Sequence, residues 1–135
     1  MNDKETQQKY LELHLLNTQI KQLTQQLALL EQQLLELRIS DDSLEDFKNI
    51  KNEKESFVPL VGGIFVKSKL ENNKNVLINV GQGIIVEKSI DEARNMVSMQ
   101  EKEVKKIIKQ IEDGLYTLSI RSQSMQQELV NIKKE

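Results

Sequence analysis

Apolar residues recur along the chain at two different periods, and the period changes twice. From about residue 5 to 39, the stripe Leu13, Leu16, Ile20, Leu23, Leu27, Leu30, Leu34 and Leu37 advances by alternate steps of three and four. A mean step of 3.5 keeps one face turned to a partner helix, the condition for a left-handed coiled coil. Around that stripe lie Gln7, Gln8, Gln19, Gln22, Gln25, Gln26, Gln32 and Gln33, polar residues of good helix propensity. The cluster Ser40-Asp41-Asp42-Ser43 competes for backbone hydrogen bonds and predicts a pause. Leu44, Phe47 and Ile50 then resume the pattern and carry the first helix to about residue 52.

The last segment, about 89–134, opens on Ser89-Ile90-Asp91-Glu92. Ser89 can accept from the N–H three residues on, while Glu92 reaches back to the Ser89 N–H, which together make a capping box. Asp91 and Glu92 also suit the positive end of the helix dipole. A second heptad follows in Val97, Val104, Ile108, Ile111, Leu115, Leu118, Met125, Leu129 and Ile132, with Glu101 and Ser122 holding seam places and weakening them. Asp113-Gly114 would by itself mark a turn. The heptad phase runs through it unbroken, which predicts a continuous helix carrying a glycine penalty of roughly 1 kcal/mol.

Between the helices, from about 56 to 88, the period falls to two. Phe57-Val58-Pro59-Leu60-Val61 is a short apolar run whose proline confines it to an edge, and Gly62-Gly63 turns the chain. Ile64 to Leu70 alternates, with Ile64, Val66 and Leu70 on one face. After the polar loop Glu71-Asn72-Asn73-Lys74-Asn75, Val76 to Val80 alternates again, Gly81-Gln82-Gly83 turns, and Ile84 to Lys88 closes the series. The reading is four strands in two hairpins.

Two heptad helices of similar length fold back most economically as an antiparallel coiled coil, about 60 Å long if each has some 40 residues. The stripe leaves its register open. Leu13 can face Met125, or, slid by one heptad, Ile132; the slid arrangement matches Ile20 to Met125 and is expected to leave both termini level. Two small hairpins bury too little apolar surface to stand alone, and four short strands leave edges that invite another chain. Phe57, Val58, Leu60, Ile64, Val66, Val76, Ile78, Val80, Ile84 and Val86 are therefore expected to serve oligomerisation.

Composition narrows the function classes. Only 4% of residues are aromatic against 30% charged, which disfavours an ordinary compact globule and suits long helices with a narrow seam. Net charge is −2 with the signs mixed, so no basic patch points to nucleic acid. The chain has no cysteine, which removes disulfides, thiolate metal sites and thiol nucleophiles. No window approaches a membrane span, and the polar Met1 to Glu5 stretch does not lead into a signal-peptide core. These features predict a soluble, cytoplasmic protein.

The helix–two-hairpin–helix order resembles the alpha-class subunits of prefoldin over essentially the whole chain. The local matches are Val58-Pro59-Leu60, the run Phe65-Val66-Lys67-Ser68-Lys69-Leu70, and the stretch Val76 to Lys88 leading into the last helix. In that stretch Gly81, Gly83 and the closing Val86-Glu87-Lys88 stand at family-like positions. Ile84-Ile85 and the glutamine-rich first helix depart from the family pattern. The resemblance implies a single α+β domain over 1–135, a long antiparallel coiled-coil hairpin with two inserted β-hairpins whose strands complete a β-barrel in an oligomer. It further implies two alpha-class with four beta-class subunits, acting as an ATP-independent holdase that grips non-native proteins at coiled-coil tips and passes them to a group II chaperonin. The alternative is a prefoldin-like scaffold subunit that holds no clients.

No chemistry-bearing cluster competes with that reading. Gly81-Gln82-Gly83 lacks the third glycine and the following helix of a phosphate loop. His14 is the single histidine and has no ligand pattern around it, and Asp41, Asp42, Glu45 and Asp46 form a charged junction, not a shielded acid–base pair. No catalytic residue, metal or cofactor is expected. The tips are the candidate site. Thr6 and Lys9 hold seam places there, so pairing is expected to loosen before the chain ends. Tyr10, Leu11, Leu13, Leu15 and Leu16 from the first helix and Met125, Leu129, Val130 and Ile132 from the second are the client-binding candidates. The seam members among them are expected to pack together, and Leu11, Leu15 and Val130 to stay exposed.

Overall fold

Alternate three- and four-residue steps do produce helices, and the two-residue alternation produces hairpins. The computed structural model describes residues 3–50, 54–71 and 74–134, the order being α1 (Asp3–Lys48), β1 (Glu55–Pro59), β2 (Phe65–Lys69), β3 (Asn75–Gly81), β4 (Ile84–Ser89) and α2 (Ile90–Lys134). Positions 51–52 of the expected first helix, and Asn72 and Asn73 of the expected polar loop, lie outside the described residues. By internal contacts the chain divides into two compact units, Met1–Leu34 with Glu103–Glu135, and Leu35–Lys102.

In the first unit the helix segments run antiparallel, with Lys9 Nζ 3.0 Å from Glu128 Oε2 and the Ser122 hydroxyl donating to Asn17 Oδ1 at 3.0 Å. Leu16, Val104, Ile108, Met125 and Leu129 are buried along this seam, and Leu13, Ile20, Leu23, Leu27, Leu30 and Leu34 are half-buried. Those contacts select the register with Leu13 at the level of Met125. Lys9 and Glu128 each lie six residues from their helix end, Asp3 and Lys134, so this unslid register is the one that levels the ends. The expectation that sliding would level them is corrected. Gly114 sits within a helix that passes through it unbroken, as the uninterrupted phase required.

The second unit holds the hairpins and the inner ends of both helices. The expected pause at Ser40 to Ser43 is absent, because its polar groups are satisfied without breaking the helix. Ser40 Oγ donates back to the Glu36 carbonyl (2.9 Å), and Asp41 takes the Arg94 guanidinium (Nε to Oδ1 2.9 Å, Nη2 to Oδ2 3.5 Å). Glu45 lies 3.6 Å from the same guanidinium. Ser89 ends β4 and caps α2 in one residue. Its hydroxyl accepts from the Glu92 N–H and donates to Glu92 Oε1, both at 3.1 Å. The return bond from Glu92 thus goes to the side chain of Ser89, where a bond to its N–H was expected.

β1 pairs antiparallel with β2, Val58 opposite Val66 and Pro59 opposite Phe65. β3 pairs antiparallel with β4, Ile78 opposite Val86, with a bulge between Asn79 and Gly81. Gly81 and Gly83 take positive φ (115° and 75°) around Gln82, which also sits left-handed at 52°, so the three-residue turn depends on the two residues without a Cβ. Among the described residues each sheet has two strands.

Candidate functional site

Two surfaces gather uncovered apolar side chains, and further exposed ones, among them Leu29, Met99 and Tyr116, lie elsewhere along the helices. The first is the terminal end of the first unit. Leu16, Met125 and Leu129 are buried there and Leu13 and Ile132 half-buried, so the seam members close on one another. Leu11, Leu15 and Val130 project outward at 60%, 54% and 45% exposure, and Tyr10 is exposed with the Lys133 ammonium 6.0 Å from its ring centre. The expected loosening is not what the structure shows. Both helices continue to Asp3 and Lys134, and Lys9 keeps a half-buried seam place with its ammonium paired to Glu128. The result is a paired end with outward apolar groups on both helices.

The second surface is the pair of hairpins. Phe57, Val58, Leu60, Ile64, Val66, Val80 and Ile84 are all exposed. Val76, Ile78 and Val86 are instead half-buried. Val76 and Ile78 turn into an apolar groove of about 630 Å³ that they share with Leu44, Phe47, Ala93 and Met96. The opposite face of this hairpin, with Leu77 and Ile85, is open to solvent, as are Val61 and Phe65 of the other hairpin. Sequence reasoning missed these four. The signal was present, since all four lie in unbroken apolar runs, which mark strands covered on both faces.

Chemistry is sparse elsewhere. Arg94 gathers Asp41 and Glu45, which raises its already high pKa, chiefly through the hydrogen bond to Asp41. Asp91 is held below the ordinary carboxylate range by its hydrogen bond to Lys48 (2.9 Å) and by that ammonium's charge. These pairs join α1 to α2 and engage Asp41 and Glu45 of the acidic cluster. His14 is exposed, and among the described residues no group of three or more His, Asp or Glu could hold a metal. Among the same residues no helix is long and apolar enough to cross a membrane.

Known proteins share this arrangement. The prefoldin subunit family matches residues 16–135. The alpha subunit of prefoldin from Pyrococcus horikoshii is 35% identical over 121 residues, covering 89% of this chain and 82% of that subunit. The alpha subunit from Archaeoglobus fulgidus is 30% identical over 128 residues, covering 95% and 93%. In fold, the chain is similar to a cryo-EM structure of filamentous PFD from Methanocaldococcus jannaschii, with a TM-score of 0.75 at 23% identity, covering 85% of this chain and 95% of that one. With two long helices, two intervening hairpins and relatives of this kind along nearly its whole length, the chain belongs to the prefoldin family, in its alpha class.

Proposed function

We propose that the chain is one subunit of a hetero-oligomeric, ATP-independent holdase. The observation that carries this is the distribution of uncovered apolar groups. They gather on two-stranded sheets with open edges, suited to permanent partners, and on the outward faces near the helix ends, suited to transient ones. The hairpins join beta-class subunits, two alpha with four beta, and their strands complete a β-barrel. Tyr10, Leu11, Leu15 and Val130 hold apolar segments of non-native proteins, with Leu13, Leu16, Met125, Leu129 and Ile132 forming the packed base beneath them. Each contact is weak, and several subunits acting together supply the avidity. Clients are then handed to a group II chaperonin in the cytoplasm, with no nucleotide or other cofactor consumed.

The test is an aggregation-suppression assay on the complex assembled with a beta-class subunit. Deleting residues 1–12 and 126–135 together should abolish protection of a heat-denatured client while the mass of the complex, corrected for the deletion, stays that of the hexamer. Undiminished protection by the shortened complex would end the proposal for the helix ends. A second reading, a scaffold subunit without client-holding activity, draws on the likeness to a filamentous prefoldin. It predicts an assembled intact complex that gives no protection at all.

A further inference from the structure

A seam built from leucine every seven residues does not choose its own register. Leu13, Ile20, Leu27 and Leu34 present much the same surface to α2, as do Leu16, Leu23, Leu30 and Leu37. The first unit nevertheless contains an asymmetric, buried polar rung. Ser122 holds a seam place between Leu118 and Met125, is 5% exposed, and donates its hydroxyl to Asn17 Oδ1 at 3.0 Å. We propose that the Ser122–Asn17 pair is the register joint of the coiled coil, fixing how far Val130 on α2 stands from Leu11 and Leu15 on α1. The second part of this rests on the client-holding reading above.

The physical argument is the cost of a buried O–H left without an acceptor, since the Gln126 amide, 3.5 Å away on the same helix, only donates to the Ser122 oxygen. Sliding by one heptad sets Ser122 level with Thr24, whose oxygen can still accept but stands one bond nearer its own backbone than Asn17 Oδ1 and is turned back to donate to the Ile20 carbonyl at 2.7 Å, and it leaves Asn17 with no partner in the seam. The same slide carries Glu128 from Lys9 to the level of Leu16. Sliding the other way brings Ser122 to Tyr10. A single polar residue in an apolar seam is a known means of fixing register at some expense of stability. Lys9–Glu128 supports the same choice, but as a partly exposed ion pair it discriminates weakly.

The natural absence of cysteine makes the test clean. Gln8→Cys and Gln110→Cys, both at exposed helical positions, carry spin labels in a full-length chain diluted among unlabelled copies in the assembled complex. Their separation is read by double electron–electron resonance. A one-heptad slide displaces the helices by about 10 Å along their axis. The parent, Ser122→Thr and Asn17→Asp should each give one distance, while Ser122→Ala and Asn17→Leu should add a second population shifted by about that amount. Asn17 is exposed, so Asn17→Leu tests the bond even where Ser122→Ala fails to fold. One unshifted distance in both would overturn the joint, as would a second population in the conservative pair. Protection of a client by the same samples should fall with the slid fraction, and full protection beside a split distance would overturn the positioning role. A parent complex with no protection defeats the client-holding reading alone, and the distances still judge the joint.

Discussion

The seam of the first unit and the hairpins of the second hold apolar residues of similar size but leave them in opposite states. Along the seam the leucines are covered within the chain itself, most half-buried, and Leu16 and Leu129 end at 7% and 5% exposure. On the hairpins Val61 and Leu77 stay at 80% and 72%, although their sequence context is the more apolar. A helix pair covers its own stripe, because 3.5-residue spacing needs only one facing neighbour. A two-stranded sheet has two faces and two outer edges, and this chain supplies cover to one face of one hairpin. Burial in this protein therefore follows how many neighbours an element requires, with hydrophobicity the weaker guide.

The contrast can be broken most severely at the hairpins. Replacing Phe65, Leu77 and Ile85 together by serine should remove the assembled species at micromolar concentration, seen as a fall in mass by analytical ultracentrifugation, with the helical circular dichroism signal retained. The same three changes should cost little in the thermal unfolding of the isolated chain, because these side chains are exposed there. Leu129→Ala reverses that outcome. It should lower unfolding stability by about 2–4 kcal/mol in denaturant titrations and leave hairpin-mediated assembly in place.

Smaller changes sharpen the comparison within the helices. Ser89→Ala removes the cap of α2 and should cost about 1 kcal/mol. Gly114→Ala should instead add up to roughly 1 kcal/mol, since the site is helical and a Cβ built there meets nothing within 4 Å. Opposite shifts in melting temperature would check both. The slightest effect is expected from acid. Asp91 has a depressed pKa through Lys48, so its contribution is present above the ordinary aspartate value and is lost as pH falls through the lower folded value. Asp91→Asn should flatten the melting temperature against pH in that acidic window and leave neutral pH nearly unchanged.

How much was legible in the sequence follows the same division. The heptad stripes named the seam residues correctly because a one-dimensional period maps directly onto one helix face. The capping residues at Ser89 were readable because that interaction is local. Partners distant in sequence were not readable. Nothing around Ser40 to Ser43 announced that Arg94, more than fifty residues on, would take Asp41 and let the helix continue. Register stayed open for the same reason, since it rests on Asn17 meeting Ser122. On the hairpins the alternation located the strands, yet the side that would be covered depended on the groove between β3 and the helices. Leu77 and Ile85 were passed over for their neighbours on that account.

Ser89 has a mechanical consequence. It is the last ladder residue of β4, opposite Asn75, and also the cap of α2, and the next N–H, of Ile90, still donates to the Lys74 carbonyl at 3.0 Å. No spacer separates strand from helix, so the junction behaves as a weld and has no slack to act as a swivel. Whatever grips the second hairpin therefore dictates the heading of the first turns of α2, and a load on that strand reaches the helix undiminished.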